Sequence, residues 1–143
     1  MGLDNGIELR SKRELNIPPE LVRVRNDSEY YEHDDYPYVY SICYWRKCWN
    51  IRHAIGIALK AEDFNDVGKE KLTINDVKNI WHVINYLNCK KVWDETDNMW
   101  SYKEIRGHLD DDLLALEWLV QFMHDDARAF ANQEVFVDFY DSY

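Results

Sequence analysis

The sequence predicts a single α+β domain, with three main helices packed against a small antiparallel sheet from the chain ends. Apolar residues recur at helical spacing in three separate stretches, and they alternate with polar residues near both termini. No internal repeat or low-complexity linker divides the 143 residues. That length suits one domain with a sizeable core, and an apolar content of 46% argues against disorder.

From the N-terminus, Gly6 to Arg10 alternates, with Ile7 and Leu9 opposite Glu8 and Arg10, which predicts a short strand. Ser11-Lys12-Arg13 reads as a basic turn and Pro18-Pro19 as a break. Leu21 to Arg25 alternates again and is a second candidate strand. Asn26 to Tyr40 interleaves carboxylates with tyrosines and shows no helical period, so it reads as a loop ending in a short extended piece.

A central amphipathic helix is expected from Tyr44 to about Lys60, with Tyr44, Cys48, Ile51, Ile55 and Leu59 along its core face. The opposite face carries Trp49 and Ile57 among its polar residues, which predicts that this helix is covered on both sides. Glu62 to Lys71 reads as a loop. Thr73 then stands as an N-cap with Asp76 in the place of the capping-box acid, ahead of a helix reaching about Asn88.

Val92 to Gly107 resembles a turn or hairpin. Asp110, Asp111 and Asp112 place negative charge where a third helix begins. Its stripe comprises Leu113, Leu116, Leu119, Val120, Met123, Ala127 and Phe130. Glu134 to Tyr140 alternates and predicts a closing strand.

The net charge is −10, from 27 acidic and 17 basic residues, so direct nucleic-acid binding is not expected. An acidic surface serves solubility, and it also suits a basic protein partner. No apolar run is long enough to span a bilayer, and the N-terminus lacks a signal-peptide pattern, which predicts a cytoplasmic protein. Three cysteines in no zinc spacing fit reduced thiols, Cys48 being a small core residue.

Two clusters could bind something. Arg46, Asn50 and His53, flanked by Trp45, Lys47 and Trp49, combine a guanidinium for anions, an amide for a base edge and aromatic faces for stacking. The same residues would equally serve as paired polar groups of a buried helix. Tyr30, Tyr31, Asp34, Asp35, Tyr36 and Tyr38 fit a protein-binding edge of aromatic anchors with a carboxylate rim.

Metal and catalytic signals are weaker. Imidazole lies near carboxylates at His33-Asp34-Asp35, at His108 with Asp110 to Asp112, and at His124-Asp125-Asp126, but no ligand set is complete. No nucleophile elbow, phosphate loop or dinucleotide fingerprint occurs among only five glycines, so neither cofactor nor catalytic residue is assigned.

Met1-Gly2-Leu3-Asp4 and Tyr44-Trp45-Arg46-Lys47, with Asn50 and His53 downstream, together resemble a group of small phage and prophage proteins. Members of that group begin Met-Gly-Leu-Asp and carry a Tyr-Trp-Arg-Lys helix followed by an Asn and a His. The resemblance covers these two segments and the aromatic stretch Trp100 to Ile105. It departs at Asn5-Gly6, where the group has larger apolar residues, and at the bulky Trp49.

What the resemblance implies is a viral accessory setting in a host cytoplasm. In that setting the first expectation is a non-catalytic binder of a nucleotide-like or other anionic small ligand, able to sequester a host defence signal. The alternatives are an acidic inhibitor of a host protein and a small metal-dependent hydrolase. Pairing of the second helix face with a twin subunit is a further possibility. Asp4 is expected to pair with Arg46 or Arg52, since a buried arginine needs a carboxylate.

Overall fold

The computed structural model describes residues 4–21, 35–46, 48–90 and 109–142. Its strands are β1 (Asp4–Ser11), β2 (Tyr38–Arg46) and β3 (Val135–Ser142). Its helices are α1 (Trp49–Ala58), α2 (Ile74–Lys90), α3 (Leu109–Asp125) and the short α4 (Ala127–Ala131), which lie between β2 and β3 in sequence. The sheet order is β2-β1-β3, with both pairings antiparallel. The α+β class and the pairing of the two chain ends are as the sequence predicts, and β2 adds a third strand.

β1 is central and buried along almost its whole length. Ile7 and Leu9 pair with Phe139 and Val137 on β3, and all four belong to the core. Glu8 and Arg10 face the other way, yet they too are buried. There Arg10 Nη2 donates to Glu8 at 2.8 Å, and Arg10 Nε lies 3.4 Å from Asp138. A guanidinium leaves water only where carboxylates meet it, so the polar side of the alternation became a buried ion-pair network. At Gly6 a Cβ would meet the Cys43 carbonyl oxygen and lie 2.5 Å from the Tyr140 hydroxyl, so glycine lets that ring cross the strand.

The central helix is shorter than its apolar spacing predicts. Tyr44, Trp45 and Arg46 end β2, and α1 begins at Trp49. The run Tyr38-Val39-Tyr40-Ser41-Ile42-Cys43-Tyr44-Trp45 is aromatic and β-branched, a composition that packs well on a pleated surface. A bulge opposite Ile7 and Glu8 leaves Ile42 as the extra residue. From Cys48 onward the helical spacing holds, since Cys48, Ile51 and Ile55 are all buried. Trp49 is 41% and Ile57 57% exposed, so these two residues of the second face of α1 are only partly buried.

α1 ends in a Schellman turn, with Ala61 N–H donating to Gly56 and Lys60 N–H to Ile57 while Lys60 takes a φ of 55°. α2 opens on the expected capping box. Thr73 N–H donates to Asp76 Oδ2 at 2.9 Å, and Asp76 N–H donates to Thr73 Oγ1 at 3.1 Å. Burial opposes charge on the Asp76 carboxyl. The Thr73 N–H, the Lys69 ammonium and the Thr73 hydroxyl outweigh it and hold the pKa below the ordinary 3.8. With the folded pKa depressed, this contribution is full at neutral pH and disappears as pH falls through the lowered value. Thr73→Ala is expected to cost about 1 kcal/mol in urea denaturation at neutral pH, and less in strong acid.

α3 packs on both α2 and β2. Leu113, Leu116, Leu119 and Met123 lie in the core as predicted. The helix does not continue through Phe130 in one piece. Asp126 leaves helical geometry at φ −110° and ψ 32°, and α4 follows with Ala129, not Ala127, buried. The break turns the chain so that β3 can return beside β1. Of the second candidate strand, Leu21 lies in a turn closed on the Pro18 carbonyl, and the rest lies outside the described residues. The turn expected between Val92 and Gly107 lies outside them as well.

Candidate functional site

A cleft of 780 Å³ opens between α1 and α2. Its α1 wall includes Trp49, Asn50, Arg52, His53 and Ile57, and its α2 wall includes His82, Val83 and Tyr86. These positions recur at three- and four-residue steps, so each helix turns them toward one side.

Arg52 forms the polar floor and is 6% exposed. Its Nε lies 2.9 Å from both carboxylate oxygens of Asp141, and its Nη2 lies 2.8 Å from Oδ2. Asn5 donates to the same carboxylate at 3.0 Å. Adjacent strands β1 and β3, where Asn5 stands opposite Asp141, therefore fix the side chain from below. Above it, the guanidinium carbon sits 5.6 Å from the Trp49 ring centroid, within cation–π range.

The histidines are oriented by aromatic neighbours. His53 stacks on Phe64 with ring centroids 4.9 Å apart and planes 23° from parallel. Gly56 permits that contact, since a Cβ there would lie 2.8 Å from the Phe64 ring. His82 stands edge-on to Trp81 at 5.2 Å.

The local charge differs sharply from that of the whole chain. α1 and α2 together carry one acidic residue, Asp76, in the first turn of α2 and paired with Lys69 at 3.0 Å. No carboxylate lines the cleft among the described residues, although the chain holds 27.

Of the expected ligand-binding residues, the structure brings Trp49, Asn50 and His53 together in this cleft. Trp45 is a core residue at 1% exposure, its indole Nε1 donating to Asp112 Oδ2 at 2.9 Å, because the strand turns it under α3. Arg46 is the exposed last residue of β2 and does not line the cleft, since the turn it was expected to share with Asn50 is not helical. Lys47 lies outside the described residues.

Arg52 does take a carboxylate partner, but it is Asp141 and not Asp4. Asp4 stands opposite Arg46 in the β1–β2 ladder and accepts from the Tyr44 hydroxyl at 2.9 Å. Sequence reasoning missed Arg52, His82 and Tyr86 as cleft residues. The spacing of His82 and Tyr86 on the polar side of α2 was the only signal available for them.

Among the expected partner-binding residues, Tyr30, Tyr31 and Asp34 lie outside the described residues. Asp35 is exposed. Tyr36 is engaged within the chain, edge-on to Phe136 at 4.6 Å and donating to the Gln133 carbonyl at 2.6 Å. Tyr38 is 39% exposed. Of the histidine–carboxylate clusters, His124 and Asp125 are both exposed, 3.5 Å apart. Among the described residues no three His, Cys, Asp or Glu side chains converge on a metal position.

Among the described residues, the fold is α+β with one three-stranded sheet, and the cleft between α1 and α2 has no carboxylate in its lining. Comparison with protein-family models, with curated proteins and with solved structures finds no match. Among the described residues no helix is long and apolar enough to cross a membrane.

Proposed function

We propose that the protein is a non-catalytic binder of a nucleotide-like or other anionic small ligand, held in the cleft between α1 and α2. One observation carries this reading: among the described residues the α1–α2 cleft is lined by two imidazoles, a guanidinium, an amide and two aromatic rings and by no carboxylate, in a chain with a net charge of −10. Trp49 and Tyr86 offer faces on which a base can stack, and Asn50 can exchange hydrogen bonds with a base edge. The imidazoles of His53 and His82 can donate to anionic oxygens. Arg52, held by Asp141, gives the floor a fixed shape. In the viral accessory setting that the sequence resemblance implies, occupancy alone would sequester a host signalling nucleotide.

A thermal-shift screen against mono-, di- and cyclic nucleotides tests this reading. A ligand at 100 times its Kd is expected to stabilise the wild type by about 2.7 kcal/mol. Asn50→Asp places a negative charge in the cleft and is expected to abolish the shift, whereas Arg46→Ala, outside it, retains the shift. A shift lost in Arg46→Ala but kept in Asn50→Asp would move the site off the cleft. No shift with any nucleotide would favour a protein partner instead.

A further inference from the structure

We propose that Phe64, seated against Gly56, is a positioning residue of the cleft. It holds the His53 imidazole by one face, so that the ring nitrogens are preset to donate to an anionic ligand. The proposal rests on the ligand reading above and deepens it.

An exposed histidine on a helix samples several rotamers, and a ligand that must fix one of them loses affinity to that ordering. His53 is exposed on α1, yet its ring already lies against Phe64, with centroids 4.9 Å apart and planes 23° from parallel. The nitrogens lie in the plane of the imidazole. A neighbour stacked on its face therefore restrains the ring without occupying a donor, as a hydrogen-bonding carboxylate would. His53 lines the cleft and Phe64 does not, so Phe64 reaches a ligand through the imidazole.

Phe64 is itself held from two sides. It is the second residue of a turn in which Asp66 N–H donates to the Asp63 carbonyl at 3.0 Å and Asn65 N–H to the Asp63 carboxylate at 2.9 Å. Its ring lies across α1 at Gly56, where an added Cβ would stand 2.8 Å from one ring carbon and 3.1 Å from the next. Val67 would be no nearer than 3.4 Å, so Phe64 sets the limit. Glycine is a poor residue for a helix interior, and Gly56 is buried within α1. The close seat of Phe64 supplies the reason for it. Gly56 lies three residues beyond His53, on the same side of the helix, so a ring resting on the first reaches the second. Phe64 stays 39% exposed, a poor arrangement for core packing and a sufficient one for a stack.

Nuclear magnetic resonance of the full chain, with binding of ribonucleoside 5′-monophosphates and of their nucleosides, tests the proposal. The His53 ring protons, assigned by their loss in His53→Gln, are expected upfield of those of an unstacked histidine, and Phe64→Leu is expected to return them. Phe64→Leu is also expected to weaken the monophosphate by about threefold to tenfold, the equivalent of ordering one side chain, and to leave the nucleoside unchanged. Phe64→Tyr keeps the ring and the affinity, whereas Gly56→Ala, which displaces the ring, reproduces the loss. In a His53→Gln background Phe64→Leu is expected to have no further effect. Ring protons that Phe64→Leu does not move overturn the proposal. So does equal weakening of nucleoside and monophosphate, or a Phe64 effect that persists without His53. Monophosphate binding indifferent to Phe64 removes the proposal and leaves the ligand reading intact; binding of no nucleotide at all removes both.

Discussion

Trp45→Ala is expected to destabilise the protein by about 3–5 kcal/mol, the range for deleting a large aromatic side chain from a packed core. Trp45 is 1% exposed and among the largest fully buried side chains. It also ties two layers together, since its indole donates to Asp112, a wholly buried carboxylate in the first turn of α3. Trp45→Phe separates the two contributions. It keeps most of the apolar volume and removes the indole donor from Asp112, at an expected cost of about 1–3 kcal/mol. Urea midpoints at an unchanged m-value would report both losses. A neutral Trp45→Phe would show that the indole–carboxylate bond adds nothing to stability.

Trp45 also illustrates what the sequence could and could not convey. Its neighbours Tyr44 and Cys48 fall at helical spacing, but so short a match fits a strand running into a helix just as well. The aromatic and β-branched run before Trp45 was the better guide, and it moves Trp45 and Arg46 off the helix that holds Asn50 and His53. Long periodic stretches left no such ambiguity. The α2 stripe with its Thr73–Asp76 capping box and the Leu113–Met123 stripe of α3 both appear in the structure as the spacing predicts. Local rules suffice there because the partners lie within a turn or two of one another.

Contacts between distant segments were not legible. Asp112 resembles any acid at a helix start, and nothing nearby marks it as the buried partner of a tryptophan 67 residues away. The alternation in β1 and β3 separates polar from apolar residues but does not mark the polar side for burial, yet Glu8, Arg10 and Asp138 are buried together, β1 being the central strand. The cleft was half legible for the same reason. Its α1 residues could be grouped by helical geometry, while its α2 wall and its floor depend on which elements the fold makes neighbours.

That floor supplies the other large expected effect. Arg52→Ala leaves the Asp141 carboxylate, 3% exposed at its side chain, without its cation, and is expected to cost about 3–5 kcal/mol. For a chain of this size that corresponds to a fall in Tm of roughly 10 °C or more. The loss comes chiefly from stranding a buried charge, so removing the charge as well should recover much of it. Arg52→Met combined with Asp141→Asn is expected to be considerably more stable than Arg52→Ala alone, and a double-mutant cycle gives the coupling directly. Near-zero coupling would mean that the pair is solvated and that Arg52 is not fixed from below. The double variant also separates fold from function: it retains a folded cleft while removing the guanidinium beneath Trp49. If nucleotides still stabilise it as they do the wild type, recognition lies with Asn50, the imidazoles and the aromatic faces, and Arg52 only shapes the floor. If stabilisation disappears while the fold persists, the guanidinium itself contributes to holding the anion, through whatever edge Asp141 leaves exposed to the cleft.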